Sequence, residues 1–247
     1  MKSPNSFTSM EEFISGSLLL IDKPLGWTSF DVLNKIKGYV RHNVSIPPNN
    51  QGHAQRFKIG HAGTLDPLAT GLLVICTGKM TRDIDGLQAG TKEYTGHITF
   101  GKTTPSFDLE TSPEGEYKTS HLAFSLLQEI AHGLKGEQMQ TPPSYSAKQI
   151  GGQRAYKAAR RGELIEIPAV RIVVDDFEIE SFDQKTAAFR IVCSKGTYIR
   201  SLANELGQRA GSGSYLSSLR RTLSNPFHVR DAWSVEMLLE RLASLNN

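Results

Sequence analysis

Apolar residues in this chain come in short blocks whose spacing changes from segment to segment, and the changes mark its elements. Residues 18–21 form a continuous apolar run, the pattern of a strand buried on both faces. After the turn residues Pro24 and Gly26, Thr28 stands where it can cap a helix with Asp31 three residues on, and Leu33, Ile36 and Val40 share one helical face. A second continuous run, residues 72–76, is bounded by Gly71 and by Thr77-Gly78 and reads as another buried strand. Residues 93–100 alternate instead, with Tyr94, Gly96, Ile98 and Phe100 on one face and Glu93, Thr95, His97 and Thr99 on the other, so this strand is half-buried. Leu122, Leu126, Ile130 and Leu134 space an amphipathic helix that ends at Gly136.

Strands around residues 170–174 and 189–193 follow, then a turn, a helix closed by Gly211, and a last helix capped by Ser234 with Leu238, Leu239, Leu242 and Leu245 on one side. Strands and helices do not alternate strictly. The pattern therefore predicts an α+β fold, with a mixed, mostly antiparallel central sheet flanked by helices and loops. Three stretches lack periodicity. Residues 1–15 are polar and read as a loose, flexible N-terminus, residues 42–57 as an irregular exposed loop, and the acidic, turn-rich residues 102–118 as a surface excursion.

A length of 247 residues with 38% apolar content suffices for one large domain or two small ones. The net charge of +3 is small, so an anionic partner must be met by a local basic patch. Cys76 and Cys193 both lie in strand-like runs without metal or redox spacing, which implies buried thiols in a reducing compartment. Without a signal-like or membrane-length apolar run, a cytoplasmic protein with no membrane partner is expected. No phosphate-cradling glycine motif, serine elbow or paired-histidine metal spacing occurs, so the expected chemistry uses no metal and no cofactor.

Two stretches carry candidate chemistry. In residues 58–82, KIGHAGTLDPLATGLLVICTGKMTR, glycines and Pro67 exclude a regular element ahead of the strand, so Asp66 is presented on a tight loop at the mouth of a rigid scaffold. Asp-Pro is also an ordinary turn starter. In residues 140–162, Lys148, Arg154, Lys157, Arg160 and Arg161 occur with Tyr145 and Tyr156 and without any acid. Such a segment suits an arm closing on a phosphate backbone; a solvated helix face is the plainer alternative.

Four blocks taken together resemble the TruB-type tRNA pseudouridine synthases: LLLIDKPLGWTSFDVLNKIK, GHAGTLDPLATGLLVICTGKMTR, QTPPSYSAKQIGGQRAYKAARRG, and CSKGTYIRSLANELG followed by LRRT. They cover most of the chain from Gly16 to Thr222. The resemblance implies a pseudouridine synthase fold and an isomerase that converts the T-loop uridine at tRNA position 55 to pseudouridine, without metal or cofactor. It places the catalytic aspartate at Asp66, the base-stacking tyrosine at Tyr94, an active-site tyrosine at Tyr198, the arginine that pairs with the aspartate at Arg200, and an apolar pocket residue at Leu219. His61 corresponds to a histidine that holds the T-loop open, Lys23 and Pro24 to a scaffold motif. The RNA-binding set is His61, Lys148, Arg154, Lys157, Arg160, Arg161 and Arg220.

From the residues alone, Tyr94 reads as a core tyrosine, His61 as a loop histidine, and Arg200 as a cation misplaced at a helix start and needing an anion. The expected layout is a catalytic domain over residues 16–231, its basic RNA-binding arm over 138–165, and a terminal helix over 232–247. Residues 223–247 are too few for the C-terminal PUA domain that many family members carry. The expected partner is the T-arm stem-loop of tRNA, and the expected state a monomer.

Overall fold

The computed structural model describes residues 3–46, 56–146, 148–150, 152–161, 163 and 166–246, and for residues 149, 150, 153, 154 and 157 the backbone alone. Two compact units result, Met1–Gly90 with Arg220–Asn247, and Thr91–Leu219. The first contains α1 (Met10–Gly16), β1 (Leu18–Lys23), α2 (Ser29–Asn43), β2 (Ile59–His61), β3 (Ala69–Thr77) and α3 (Ile84–Gln88). The second contains β4 (Lys92–Phe100), α4 (Phe124–Gly133), β5 (Gly136–Gln140), β6 (Gln149–Ile150), β7 (Gln153–Arg154), α5 (Ala155–Ala159), β8 (Val170–Phe182), β9 (Thr186–Cys193) and α6 (Ile199–Arg209). β10 (Ser214–Ser224) brings the chain back at Arg220 to the first unit, which ends with β11 (Phe227–His228) and α7 (Val235–Ser244).

In the first unit β3 is the central strand. β1 runs antiparallel to it from Leu18 opposite Cys76 to Lys23 opposite Gly71, and β2 pairs Ile59 with Thr77 and His61 with Ile75. The continuous apolar runs follow from burial of both faces. Leu19, Ile21, Leu73 and Ile75 meet Val32, Leu33, Ile36 and Val40 of α2 and Val235, Leu238 and Leu242 of α7. Leu18, Leu20, Leu72, Val74 and Cys76 pack on the opposite side with Ala62 and Leu87. α2 begins as expected, with Thr28 and Asp31 forming a reciprocal capping box.

The N-terminal segment departs from the expectation of a loose tail. Ser9 caps α1, Phe7 and Phe13 are buried in the core shared by α2 and α7, and the Phe7 carbonyl accepts from Arg241 at 3.3 Å. Phe7 and Phe13 anchor it, with Met10 and Ile14 packed on the same core and Asn5 hydrogen-bonded to both backbone groups of Leu20. The expected loop over 42–57 is corrected in part as well. α2 runs to Asn43, Val44 and Ile46 pack on the same core, and Phe57 stacks on Phe13 at 5.6 Å, while residues 47–55 lie outside the described residues.

The second unit is antiparallel in the order β4-β9-β8-β5, with Tyr94 opposite Ile191, Ile179 opposite Phe189, and Gln138 opposite Ile172. Its core gathers Ile98, Phe100, Phe177, Phe189 and Ile191 with Leu127 and Ala131 of α4 and Leu202, Ala203 and Leu206 of α6. α4 is rotated slightly from its predicted stripe, since Leu127 and Ala131 are fully buried and Leu126 and Ile130 only partly. Residues 102–118 form the expected surface excursion only in part: residues 112–118 are all exposed, whereas three side chains ahead of them turn inward. Thr104, Ser106 and Asp108 are buried at 2%, 0% and 5% exposure, so this acidic stretch sends a carboxylate inward.

Candidate active site

In the first unit everything converges on the loop that carries Asp66. Gly71 can adopt φ +99, which lets the start of β3 pass so close to the Arg221 backbone that a Cβ would lie 2.3 Å from its carbonyl oxygen. The Arg221 side chain, 1% exposed, then reaches back with Nε to the Leu72 carbonyl (2.7 Å) and Nη2 to the Gly63 carbonyl (3.1 Å). Those bonds tie the near side of the loop to the strand. On the other side Ser29, the first residue of α2, receives the Leu65 amide on Oγ at 2.8 Å and donates to the Leu65 carbonyl at 3.2 Å. Asp66 closes the turn by accepting the Ala69 amide at 3.0 Å, and Gly26 donates to the Pro67 carbonyl at 2.9 Å.

A buried cation lies under this loop. Lys23, 0% exposed, aims Nζ at the carbonyls of Trp27 (2.5 Å), Pro24 (2.9 Å) and Pro67 (3.4 Å). Burial lowers its pKa to about 8, while the charges of Asp66 and Asp31 oppose that fall and Arg221 adds to it. At neutral pH the Asp66 carboxylate therefore has an ammonium ion close by in a poorly solvated place. His61 sits half-buried on β2; burial, reinforced by the Arg221 charge, lowers its pKa, and its buried Nδ1 has no hydrogen-bond partner among the described residues. Both effects favour the neutral imidazole. Arg220 meets the Asp22 carboxylate in a two-pronged pair, at 3.0 and 2.6 Å, so its fork is already engaged by an acid of its own unit.

The second unit holds the other candidates. Tyr94 on β4 and Leu219 on β10 are half-buried against its core, leaving part of each accessible. Tyr198 is the residue that caps α6, and its backbone is held at both ends by one side chain: its amide donates to Gln140 Oε1 at 2.8 Å and its carbonyl accepts from Gln140 Nε2 at 3.1 Å. Arg200, 3% exposed, donates to the carbonyls of Ser106 (3.2 Å) and Tyr145 (3.0 Å) and lies 3.6 Å from the buried Asp108 carboxylate. The cation that looked misplaced at a helix start thus has an anion at hand in its own unit.

The basic segment is less bare than its sequence. Arg160 pairs with Glu110 at 2.7 Å and lies over the Tyr156 ring at 5.5 Å, and Arg161 pairs with Glu163 at 2.7 Å. Acids outside the segment supply what it lacks. Lys148 donates to the Pro168 carbonyl at 3.0 Å, and the side chains of Arg154 and Lys157 lie outside the described residues. Four side chains that position these sites escaped the sequence reading: Ser29, Arg221, Asp108 and Gln140. Only Arg221 left a signal, an unexplained arginine beside Arg220.

Residues 51–199 match the TruB family pseudouridylate synthase profile, described as its N terminal domain. A Flavobacterium johnsoniae protein named tRNA pseudouridine synthase B is 47% identical over 232 residues, which is 94% of this chain and 98% of that one. A namesake from Chloroherpeton thalassium is 43% identical across 92% of this chain and 90% of its own. Among solved structures, a chain of a Cbf5-Nop10-Gar1 complex superposes with a TM-score of 0.67 at 25% identity; the match covers 93% of this chain and 55% of that one. A chain of an archaeal box H/ACA sRNP Nop10-Cbf5 complex, at 23% identity and a TM-score of 0.64, shares the fold.

Proposed function

Because this chain belongs to the TruB family of pseudouridylate synthases, we propose that it isomerises the T-loop uridine at position 55 of tRNA to pseudouridine, with Asp66 as its catalytic carboxylate. The observation that carries the reading is the triple restraint on the Asp66 loop. Ser29 holds Leu65, Arg221 holds Gly63, and a buried ammonium, Lys23, lies beneath Pro67. A turn residue with no task would not need three long-range supports, one of them a buried cation. Prearranging a carboxylate in this way lowers the reorganisation needed when charge develops during reaction.

The proposed reaction takes the target uridine out of its stacked loop, breaks N1–C1′, turns the uracil, and joins C5 to C1′. Substrate and product are isomers, so no co-substrate is consumed. Flipping costs a few kcal/mol, recovered by stacking on an aromatic face and by contacts to the base edge. Tyr94 and Leu219, half-buried with accessible edges, support a role as that platform. We assign Tyr198 and Arg200 to the same chemistry, Arg200 as the partner of Asp66 in the family pattern, and the Gln140 and Asp108 contacts as what orients them. Lys148, Arg154, Lys157, Arg160 and Arg161 are proposed to meet the RNA backbone, Arg160 and Arg161 by exchanging Glu110 and Glu163 for phosphates; His61 and Arg220 border the loop. We also propose a monomer in the cytoplasm; the two buried, unpaired thiols suit a reducing compartment.

Release of tritium from C5-labelled uridine in an unmodified tRNA transcript tests the reaction. Wild type should release it and Asp66→Asn should bind the tRNA without release. Turnover by the Asn variant close to wild type would remove Asp66 from its role.

A further inference from the structure

α2 turns its apolar face to the core and leaves a cationic face outward. Phe30, Asn34, Lys37 and Arg41 follow one another at the three- and four-residue steps that line one side of a helix. Beyond the helix the chain returns beside them at Arg56 and Phe57, and Asn34, Lys37, Arg41, Ile46, Arg56 and Phe57 line a cavity of about 590 Å³. Lys37 covers the Phe30 ring at 5.6 Å. Among the described residues no carboxylate pairs with Lys37, Arg41 or Arg56. The one acid of the helix, Asp31, is occupied by its capping bonds to Thr28 at 2.8 and 2.6 Å.

Three cations around one concavity repel one another, and an anion seated among them reverses the sign of that interaction. The walls narrow the choice of anion. Phe57 and Ile46 offer apolar surface and Asn34 an amide, a mixture that suits the ring and edge of a nucleotide as well as its phosphate. The cavity is also mechanically joined to the chemistry. Ser29, at the other end of α2, makes both bonds to Leu65, and Arg41 lies about 18 Å further along the helix axis, at 1.5 Å per residue.

We propose that this cavity is a second RNA-binding site, in which Lys37, Arg41 and Arg56 hold the sugar–phosphate chain of the substrate at a nucleotide remote from the target uridine. The inference rests on the reading of the chain as an RNA-modifying enzyme. Docking there fixes α2, and α2 carries the Asp66 loop with it, so the remote contact sets the register in which the target reaches the carboxylate.

The test uses the full chain and an unmodified tRNA transcript as probe, with affinity measured against salt for wild type and for the triple variant Lys37→Gln, Arg41→Gln, Arg56→Gln. Loss of three phosphate contacts should flatten the slope of log K against log salt by about two to three units, and weaken binding roughly a hundredfold at 0.1 M salt. An unchanged slope with unchanged affinity overturns the proposal. Should the triple variant melt early, Arg41→Gln and Arg56→Gln are measured singly. Each should then flatten the slope by about 0.7 to 0.9; no change in either overturns it. Tritium release by wild type separates the two readings. Release together with an unchanged slope removes this site and leaves the enzyme, whereas a flattened slope without any release leaves the site and removes the proposed reaction.

Discussion

Ser29 Oγ accepts the Leu65 amide at 2.8 Å and donates to the Leu65 carbonyl at 3.2 Å, so a single buried hydroxyl satisfies both backbone groups of the residue before Asp66. Ser29→Ala leaves both without a partner. The cost should be about 1–3 kcal/mol of stability, within the range for an unsatisfied buried group. Because the loop loses its tether to α2, single-turnover isomerisation should slow more than tRNA affinity falls. Urea unfolding and single-turnover tritium release, compared with wild type, measure the two effects.

Gly71 is the point where β3 and Arg221 come closest. A Cβ there would sit 2.3 Å from the Arg221 carbonyl oxygen, at a φ of +99 that L-residues rarely adopt. Gly71→Ala should therefore destabilise by more than about 4 kcal/mol, among the larger effects seen for one substitution. Arg221→Met should cost less, about 2 kcal/mol, since unpaired carbonyls at Leu72 and Gly63 are offset by removal of a buried charge. Denaturant midpoints of the two purified variants decide the order; the reverse ranking would mean the guanidinium, not the backbone crossing, holds the loop.

Lys23 links stability and activity to pH. Its folded pKa of about 8 lies below the ordinary 10.5, so the unfolded chain binds more protons between those values and the Lys23 contribution to stability rises across that window. It is fully present above 10.5 and lost as pH falls through about 8, an effect of at most about 3 kcal/mol. Cys76 and Cys193, pushed up by burial to about 11 and about 12, act in the opposite sense above pH 9, so the measurement is the difference between wild type and Lys23→Met. That difference should favour wild type increasingly from pH 7.5 to 9.5. Turnover should show an alkaline limb near pH 8, as the cation beside Asp66 is lost, and the variant should lack it.

Asp108 and Arg200 are 5% and 3% exposed and 3.6 Å apart. Asp108→Ala removes one anion from beside a buried guanidinium and should cost about 1–3 kcal/mol, while Asp108→Asn, which keeps the shape and a carbonyl acceptor, should cost less. A double-mutant cycle with Arg200→Met reads the coupling directly.

If Arg160 meets RNA as proposed, Glu110, its ion-pair partner at 2.7 Å, competes for it. The pair is largely exposed and worth under about 1 kcal/mol, so Glu110→Gln should leave the thermal midpoint nearly unchanged. Freeing the guanidinium should steepen the salt dependence of tRNA binding by up to about one unit.

Local patterns were legible where short-range physics decides. The Thr28–Asp31 capping box, the two strands buried on both faces and the core-facing set Tyr94, Ile98 and Phe100 of β4 each come from neighbours within a few positions, although Thr99 is buried too and burial along β4 does not alternate. The Asp66 loop was visible as a loop for the same reason. What holds it was not: Ser29 and Leu65 are 36 positions apart, Lys23 and Pro67 44, Arg221 and Gly63 158. Composition misled twice for one reason, that an average over a segment hides a single decisive side chain. Phe7 and Phe13 anchor a polar N-terminus, and Asp108 is buried within a stretch whose later residues, 112–118, are exposed.

The Arg221 bond to Gly63 also orders events in time. A ribosome that has made Gly63 must add 158 more residues before the guanidinium that ties the loop down exists, which at 5–20 residues per second takes roughly 8 to 30 s. Throughout that interval the nascent chain displays its loop and much of its cationic surface without the clamp. A truncated product that stops before β10 would thus carry the Asp66 loop but not the guanidinium that ties it down.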